Sequence, residues 1–270
     1  MMRILLSNDD GIYADGIKAL HRELSKIGKV WVVAPLEERS TAGHSLTLHK
    51  PLRLIEARGA GKGYYGVNGS PADCVYLGIR QLLGGLPDLV VSGINRGANM
   101  GQDIYYSGTV SAAREACILG IPAIAVSLAV DFSAALNENK LNYSTAAKTA
   151  VKIIRDFKKH QTQWPKHTLL NVNVPDVPIS KLKGIQISKQ GFRFYSGSIL
   201  KRKDHRGKPY YWVGGQYQGF RDEEGTDCNV VGRGFASITP LKLDCTDFQF
   251  FARLSADWPQ GSKPKKVRAK

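Results

Sequence analysis

Apolar positions in this chain fall into two kinds of run, and their succession predicts a parallel sheet flanked by helices. Short, almost wholly apolar runs bounded by turn formers, residues 3–7, 30–34, 89–92, 123–128 and 169–175, read as strands buried on both faces. Between them, apolar residues recur at helical spacing. Residues 12–26 place Ile17, Leu20, Leu24 and Ile27 in phase, and residues 144–159 align Ala147, Val151, Ile154 and Phe157 opposite a lysine-rich face. A further helix is predicted from Pro71 to Leu83, with Ser70 as its cap and Asp73 at the positive end of its dipole. Strand, helix and strand in succession make a β-α-β unit, whose sheet is parallel.

Residues 46–57 are predicted to form strands of a meander. After about residue 180 the pattern changes: 185–195, 209–213 and 235–243 read as strands separated by glycine-rich and charged loops. The expected organisation is therefore an α/β core over 1–180, a β-rich arm over 181–255 and a basic, disordered tail over 256–270. Tyr210, Tyr211, Trp212, Tyr217 and Phe220 lie in the extended part of that arm, where exposed aromatics point to a subunit interface.

Composition changes this picture in one respect. The formal charge is +15, and five of the positive charges lie within residues 263–270, so the folded part is less basic than the total. Such a surface attracts nucleic acid, anionic lipid or a phosphorylated small molecule. The run Lys201-Arg202-Lys203 reads first as a solvated face. Cys74, Cys117, Cys228 and Cys245 form no C-x-x-C pair, so neither a zinc site nor a redox pair is expected. The longest apolar run, 118–130, is too short for a bilayer and is broken by Pro122. With no signal-peptide core before the first strand, a cytoplasmic protein without membrane contact is expected.

Ligands of open α/β sheets lie beyond the carboxyl ends of the strands, so the loops there carry the candidate chemistry. The first strand runs into Asn8-Asp9-Asp10-Gly11, two adjacent carboxylates that repel unless a cation, a proton or water compensates. A solvated turn with one aspartate capping the next helix is the simpler alternative. The loop after the second strand carries Ser40 and His44, and the third, from Gly93 to Gly101, carries Asn95 and Asn99 among glycines. Its spacing is neither G-x-G-x-x-G nor a P-loop. Ser107-Gly108-Thr109 then opens a helix whose N-terminal amides suit a phosphate, unless it is a plain capped helix. Asp9, Asp10, Ser40 and Asn95 together make an all-oxygen half-shell for a divalent cation, and the reaction this supports is hydrolysis of a phosphate ester.

Residues 4–11, the run Asn68-Gly69-Ser70-Pro71-Ala72-Asp73-Cys74-Val75, the segment from Val91 to Gly101 and that from Tyr106 to Ala113 resemble, in order and spacing, the SurE (survival protein E) family. The likeness continues through Asn171-Val172-Asn173-Val174-Pro175, Gly225-Thr226-Asp227 and Ser237-Ile238-Thr239-Pro240-Leu241. The resemblance implies a Rossmann-like domain with a swapped β arm, assembled as dimers or dimers of dimers. It implies a metal-dependent nucleotidase acting on nucleoside 5′- and 3′-monophosphates, with short polyphosphate a further substrate class. One divalent ion per subunit, Mg²⁺, Mn²⁺ or similar, would lie on Asp9, Asp10, Ser40 and Asn95, with Asn99 and Ser107, Gly108 and Thr109 on the phosphate. A metal-activated water would attack, and Asp9 or Asp10 would take its proton. Phe248 stands where some relatives carry a histidine after the Pro-Leu-x-x-Asp motif, which leaves His44 as a substitute general acid. A haloacid-dehalogenase-like phosphatase with Asp9 as nucleophile is disfavoured, because Gly11 stands where that chemistry needs an acid. The alternative from another class is a nucleic-acid-binding protein using the basic surface and tail; no dedicated nucleic-acid partner is expected.

Overall fold

The computed structural model describes residues 1–130, 141–159 and 164–258. In chain order they form β1 (Met2–Ser7), α1 (Asp15–Leu24), β2 (Gly28–Pro35), β3 (Leu54–Glu56), β4 (Tyr64–Val67), α2 (Pro71–Leu77), β5 (Leu89–Arg96), α3 (Gly108–Ile118), β6 (Ala123–Ala129), α4 (Tyr143–Lys159) and β7 (Thr168–Pro175). Then follow β8 (Ile185–Ile187), β9 (Arg193–Tyr195), β10 (Ser198–Lys203), β11 (Pro209–Gly214), β12 (Tyr217–Phe220), α5 (Asp227–Gly232), β13 (Ala236–Lys242) and α6 (Phe248–Asp257).

Nine strands join in one sheet, ordered β3-β4-β2-β1-β5-β6-β7-β13-β8. The six from β4 to β7 are parallel, as the β-α-β pattern requires. The chain moves outward from β1 to β2 on one side and returns to place β5 on the other. The carboxyl end of β1 therefore lies at the switch point of the strand order, the position at which open α/β sheets bind their ligands. Strand alternation divides the core. Ile4 and Leu6 face α1 and α4, packing with Ile17, Leu20, Leu24 and Val151, whereas Leu5 faces α2 and α3, packing with Val75, Val110 and Cys117.

Local chemistry accounts for several boundaries. Ser70 and Asp73 form a full capping box on α2, and Pro71 occupies its first turn. The helix continues as a π-helical turn, Gly78–Leu82, close to the expected end. α1 begins at Asp15 rather than Ile12 because Gly11, at φ 100°, turns the chain and its carbonyl accepts the Ala14 N–H at 3.1 Å. Of the meander expected over 46–57, β3 is the strand that forms.

The region after residue 180 does not stand wholly apart from the core. β13 pairs antiparallel with β7, and β8 pairs parallel with β13, so both extend the main sheet. β7 is buried along its whole length and needs a partner on its outer edge; β13 provides one, with Ile238 on one face and Leu241 on the other. The remainder of the arm consists of the β9–β12 ribbon and the β10–β11 hairpin, every residue of which is exposed, including Tyr210, Tyr211 and Trp212. Phe220 differs: it packs on Met100, Cys228 and Val231. α6 presents Phe248, Phe250, Phe251 and Leu254 to the surface and runs past residue 255, while residues 259–270 of the expected tail lie outside the described residues. Cys74, Cys117 and Cys228 are buried and Cys245 is exposed. Among the described residues no helix is long and apolar enough to cross a membrane.

Candidate active site

The turn after β1 is tied to the turn after β2. Asn8 Nδ2 donates to the Gly11 carbonyl at 3.0 Å, Ile12 N–H to Pro35 O at 2.8 Å, and Arg39 N–H to Asp9 O at 2.8 Å. These bonds fix two adjacent carboxylates at the switch point. Asp9 is 5% exposed, and its carboxylate accepts both the hydroxyl and the backbone N–H of Thr109. Thr109 lies in the first turn of α3, whose cap Ser107 accepts the Val110 N–H at 3.0 Å. Asp9 therefore rests on the positive end of a helix dipole. Gly108 makes that approach possible: a Cβ there would lie 2.7 Å from Asp9 Cβ and 2.8 Å from its Oδ2. Asp10 accepts the Arg96 N–H, from the end of β5, at 3.2 Å.

Burial raises the Asp9 carboxyl above its ordinary range, against the hydrogen bonds from Thr109. Asp10 is pushed up to about 7, first by burial and then by the charge of Asp9. Glu38 adds to the negative potential at both. The sequence pattern passed over Glu38, and its one signal was the polarity of the loop from Leu36 to Ser45.

Ser40 stands in the loop after β2, whereas Asn95 lies near the carboxyl end of β5, which runs on to Arg96 past its expected end at Ser92; the hydrogen bonds of both are directed locally. The exposed Ser40 hydroxyl donates to Glu38, and Asn95 Nδ2 donates to Gly97 O at 2.9 Å. Asn99 is buried, with Nδ2 on Ser127 Oγ at 2.8 Å and its N–H on Asn173 Oδ1 at 2.8 Å. Its carbonyl accepts Asn171 Nδ2 at 2.8 Å and Asn173 Nδ2 at 3.0 Å. Asn171, Asn173 and Ser127 thus hold the loop after β5, a role betrayed in sequence only by asparagines at alternate positions of an otherwise apolar strand. Asp227 fastens the same loop to the arm, accepting the N–H of Gly101 at 3.0 Å and of Gly191 at 2.9 Å. His44 pairs with Glu115 on α3, and Phe248 lies exposed at the start of α6.

Among the described residues no three His, Cys, Asp or Glu side chains gather as a metal centre. What the switch point does bring together is the oxygen pair of Asp9 and Asp10, a chemistry that suits a hard cation. Two buried, adjacent carboxylates, each raised by its burial, are also groups whose charge a divalent cation would relieve. This has a measurable consequence. A carboxyl raised in the folded state contributes stability below its unfolded value, and the contribution is lost as pH rises through the folded value near 7. In chelator, the thermal midpoint of the wild type should therefore fall more steeply than that of Asp10→Asn between about pH 5 and about pH 8. Equal slopes in the two scans would contradict this electrostatic account.

A mostly parallel sheet, with Asp9 seated on the N-terminus of α3 at its switch point and Asp10 beside it, defines an α/β protein whose carboxylate pair marks the candidate site. The chain belongs to the SurE family, whose model, Survival protein SurE, matches residues 4–197. The 5′-nucleotidase SurE of Geobacter sulfurreducens is 50% identical over 268 residues, covering 97% of this chain and 98% of that protein. That of Geobacter metallireducens is 52% identical over 247 residues, covering 92% and 94%. The crystal structure of the SurE protein from Aquifex aeolicus has a TM-score of 0.79 at 42% identity, covering 94% of this chain and 98% of that one.

Proposed function

We propose that the chain is a phosphomonoesterase that hydrolyses nucleoside 5′- and 3′-monophosphates, and short polyphosphate, with one divalent cation held by Asp9, Asp10, Ser40 and Asn95. The observation that carries this reading is the Asp9 carboxylate seated on Thr109 at the start of α3, beside Asp10. The name 5′-nucleotidase SurE, borne by relatives about half identical over nearly the full chain, supports the substrate class. When bound, the cation supplies positive charge to the phosphoryl oxygens and acidifies the water it holds.

The chain's own residues do the rest. Ser107 and Gly108 present the first turn of α3 to the phosphate, where the dipole favours an anion. Thr109 holds Asp9 as an anchor, and Asn99, locked by Ser127 and Asn173, fixes the loop after β5. Asp10, raised to about 7, takes the proton of the attacking water in this reading. The exposed aromatics of the β10–β11 hairpin and of α6 support assembly as a dimer or a dimer of dimers.

Phosphate release should be measured on 5′-AMP, 5′-GMP, 3′-AMP, tripolyphosphate and a phosphodiester with Mg²⁺ or Mn²⁺ present. Release from the monophosphates and none from the diester is expected. Silence on every monophosphate, together with salt-sensitive binding of nucleic acid, would favour the basic surface as the functional one.

A further inference from the structure

His44 stands four residues beyond Ser40 in the loop that follows β2, and its Nε2 lies 2.9 Å from Oε2 of Glu115. Glu115 is 4% exposed on α3, and a carboxylate buried that deeply needs a partner. Among the described residues, His44 is the side chain that hydrogen-bonds it. The loop has three further ties on this outgoing side. Gly43 N–H donates to Tyr106 O at 3.2 Å, next to the cap of α3. Ser70 Oγ donates to Ser45 O at 2.6 Å, and Asp73 accepts the N–H and hydroxyl of Thr47 at 2.8 and 2.6 Å. On its incoming side, the same loop is held to Asp9 through Arg39.

Position along α3 decides what His44 can do. Glu115 lies six residues beyond Thr109, which at 1.5 Å per residue places it about 9 Å down the helix from the turn that meets Asp9. Engaged with Glu115 through its Nε2, the imidazole is committed to holding this loop on α3 rather than to donating a proton to a phosphate. We propose instead that His44 and Glu115 form a positioning pair, clamping the loop that carries Glu38 and Ser40 to the helix that presents Thr109 to Asp9. The proposal rests on the cation site of the preceding section: the pair sets how well Ser40 completes that site. Because Gly43 is tied to Tyr106, movement at His44 is transmitted to both the Ser40 loop and the phosphate-binding turn.

The test is Mn²⁺ binding to the metal-free full chain by calorimetry, with KM and kcat for AMP and thermal midpoints measured alongside. His44→Ala alone strands a buried carboxylate and threatens folding, so the informative variants are Glu115→Gln and the double change His44→Ala with Glu115→Gln. Glu115→Gln keeps a hydrogen bond to neutral imidazole and should bind Mn²⁺ as the wild type does. The double variant should bind it roughly tenfold more weakly, the scale typical of outer-shell partners, with KM rising more than kcat falls. A folded double variant with wild-type Mn²⁺ affinity overturns the proposal, showing that the pair serves stability alone. A wild-type chain that binds no Mn²⁺ overturns the cation site, and the role of the pair with it.

Discussion

Replacing Asp9 with asparagine should reduce phosphate release from AMP by about a thousandfold or more while the protein stays folded. The side chain is 5% exposed and accepts two hydrogen bonds from Thr109, so it occupies one defined position. Asparagine has the same shape and still offers an oxygen to the Thr109 hydroxyl. What it removes is the negative charge at the point where β1 meets the start of α3. Because burial already opposes that charge, neutralising it should leave the thermal midpoint unchanged or higher in chelator. The expected signature is lost turnover without lost stability, read from phosphate release and thermal melts on one preparation. Asp9→Asn with turnover within tenfold of the wild type would remove Asp9 from the chemistry.

Gly108→Ala is the second change with a large expected effect, and its logic is steric. The added methyl would lie 2.7 Å from Asp9 Cβ and 2.8 Å from Oδ2, so either Asp9 or the first turn of α3 must shift. Gly108 opens a helix, where alanine is intrinsically favoured, so the gain in propensity offsets part of the clash. Stability should therefore change less than activity. A displacement of about 1 Å at a reacting centre costs about a hundredfold in rate, and that is the fall expected in kcat/KM for AMP. Gly197→Ala is the control, since nothing lies within 4 Å of a Cβ there. Equal activity in the two alanine variants would mean that the contact between Asp9 and α3 has no part in turnover.

Much of the frame is legible in the apolar pattern because its causes are local. The runs ending at Ser7, Pro35 and Pro175 are buried on both faces, and Ser70 and Ser107 advertise helix starts through the amides they cap. The place of β13 is not legible in that way. The composition of residues 235–243 says that they form a strand but not that the outer edge of β7 is where it pairs, which is settled by contacts across more than sixty residues of chain. The same division runs through the site. Asp9, Asp10 and the Ser107–Thr109 turn stand out because each ends or begins a regular element, and the structure brings Asp9 against Gly108 and Thr109. Ser40 lies inside a loop and Asn95 near the carboxyl end of β5, where side-chain direction depends on neighbours such as Glu38 and Gly97 that no periodicity reports. Asn173 and Glu115 act through residues distant in sequence and leave almost no local mark.

The central claim is that Asp9 and Asp10 hold a divalent cation without which nucleoside monophosphates are not hydrolysed. Its most direct test is phosphate release from AMP by the full chain, first stripped with EDTA and then returned to increasing Mn²⁺. The account predicts no release after stripping and recovery that saturates with the added cation, a recovery absent from Asp9→Asn. Undiminished release in EDTA would contradict it.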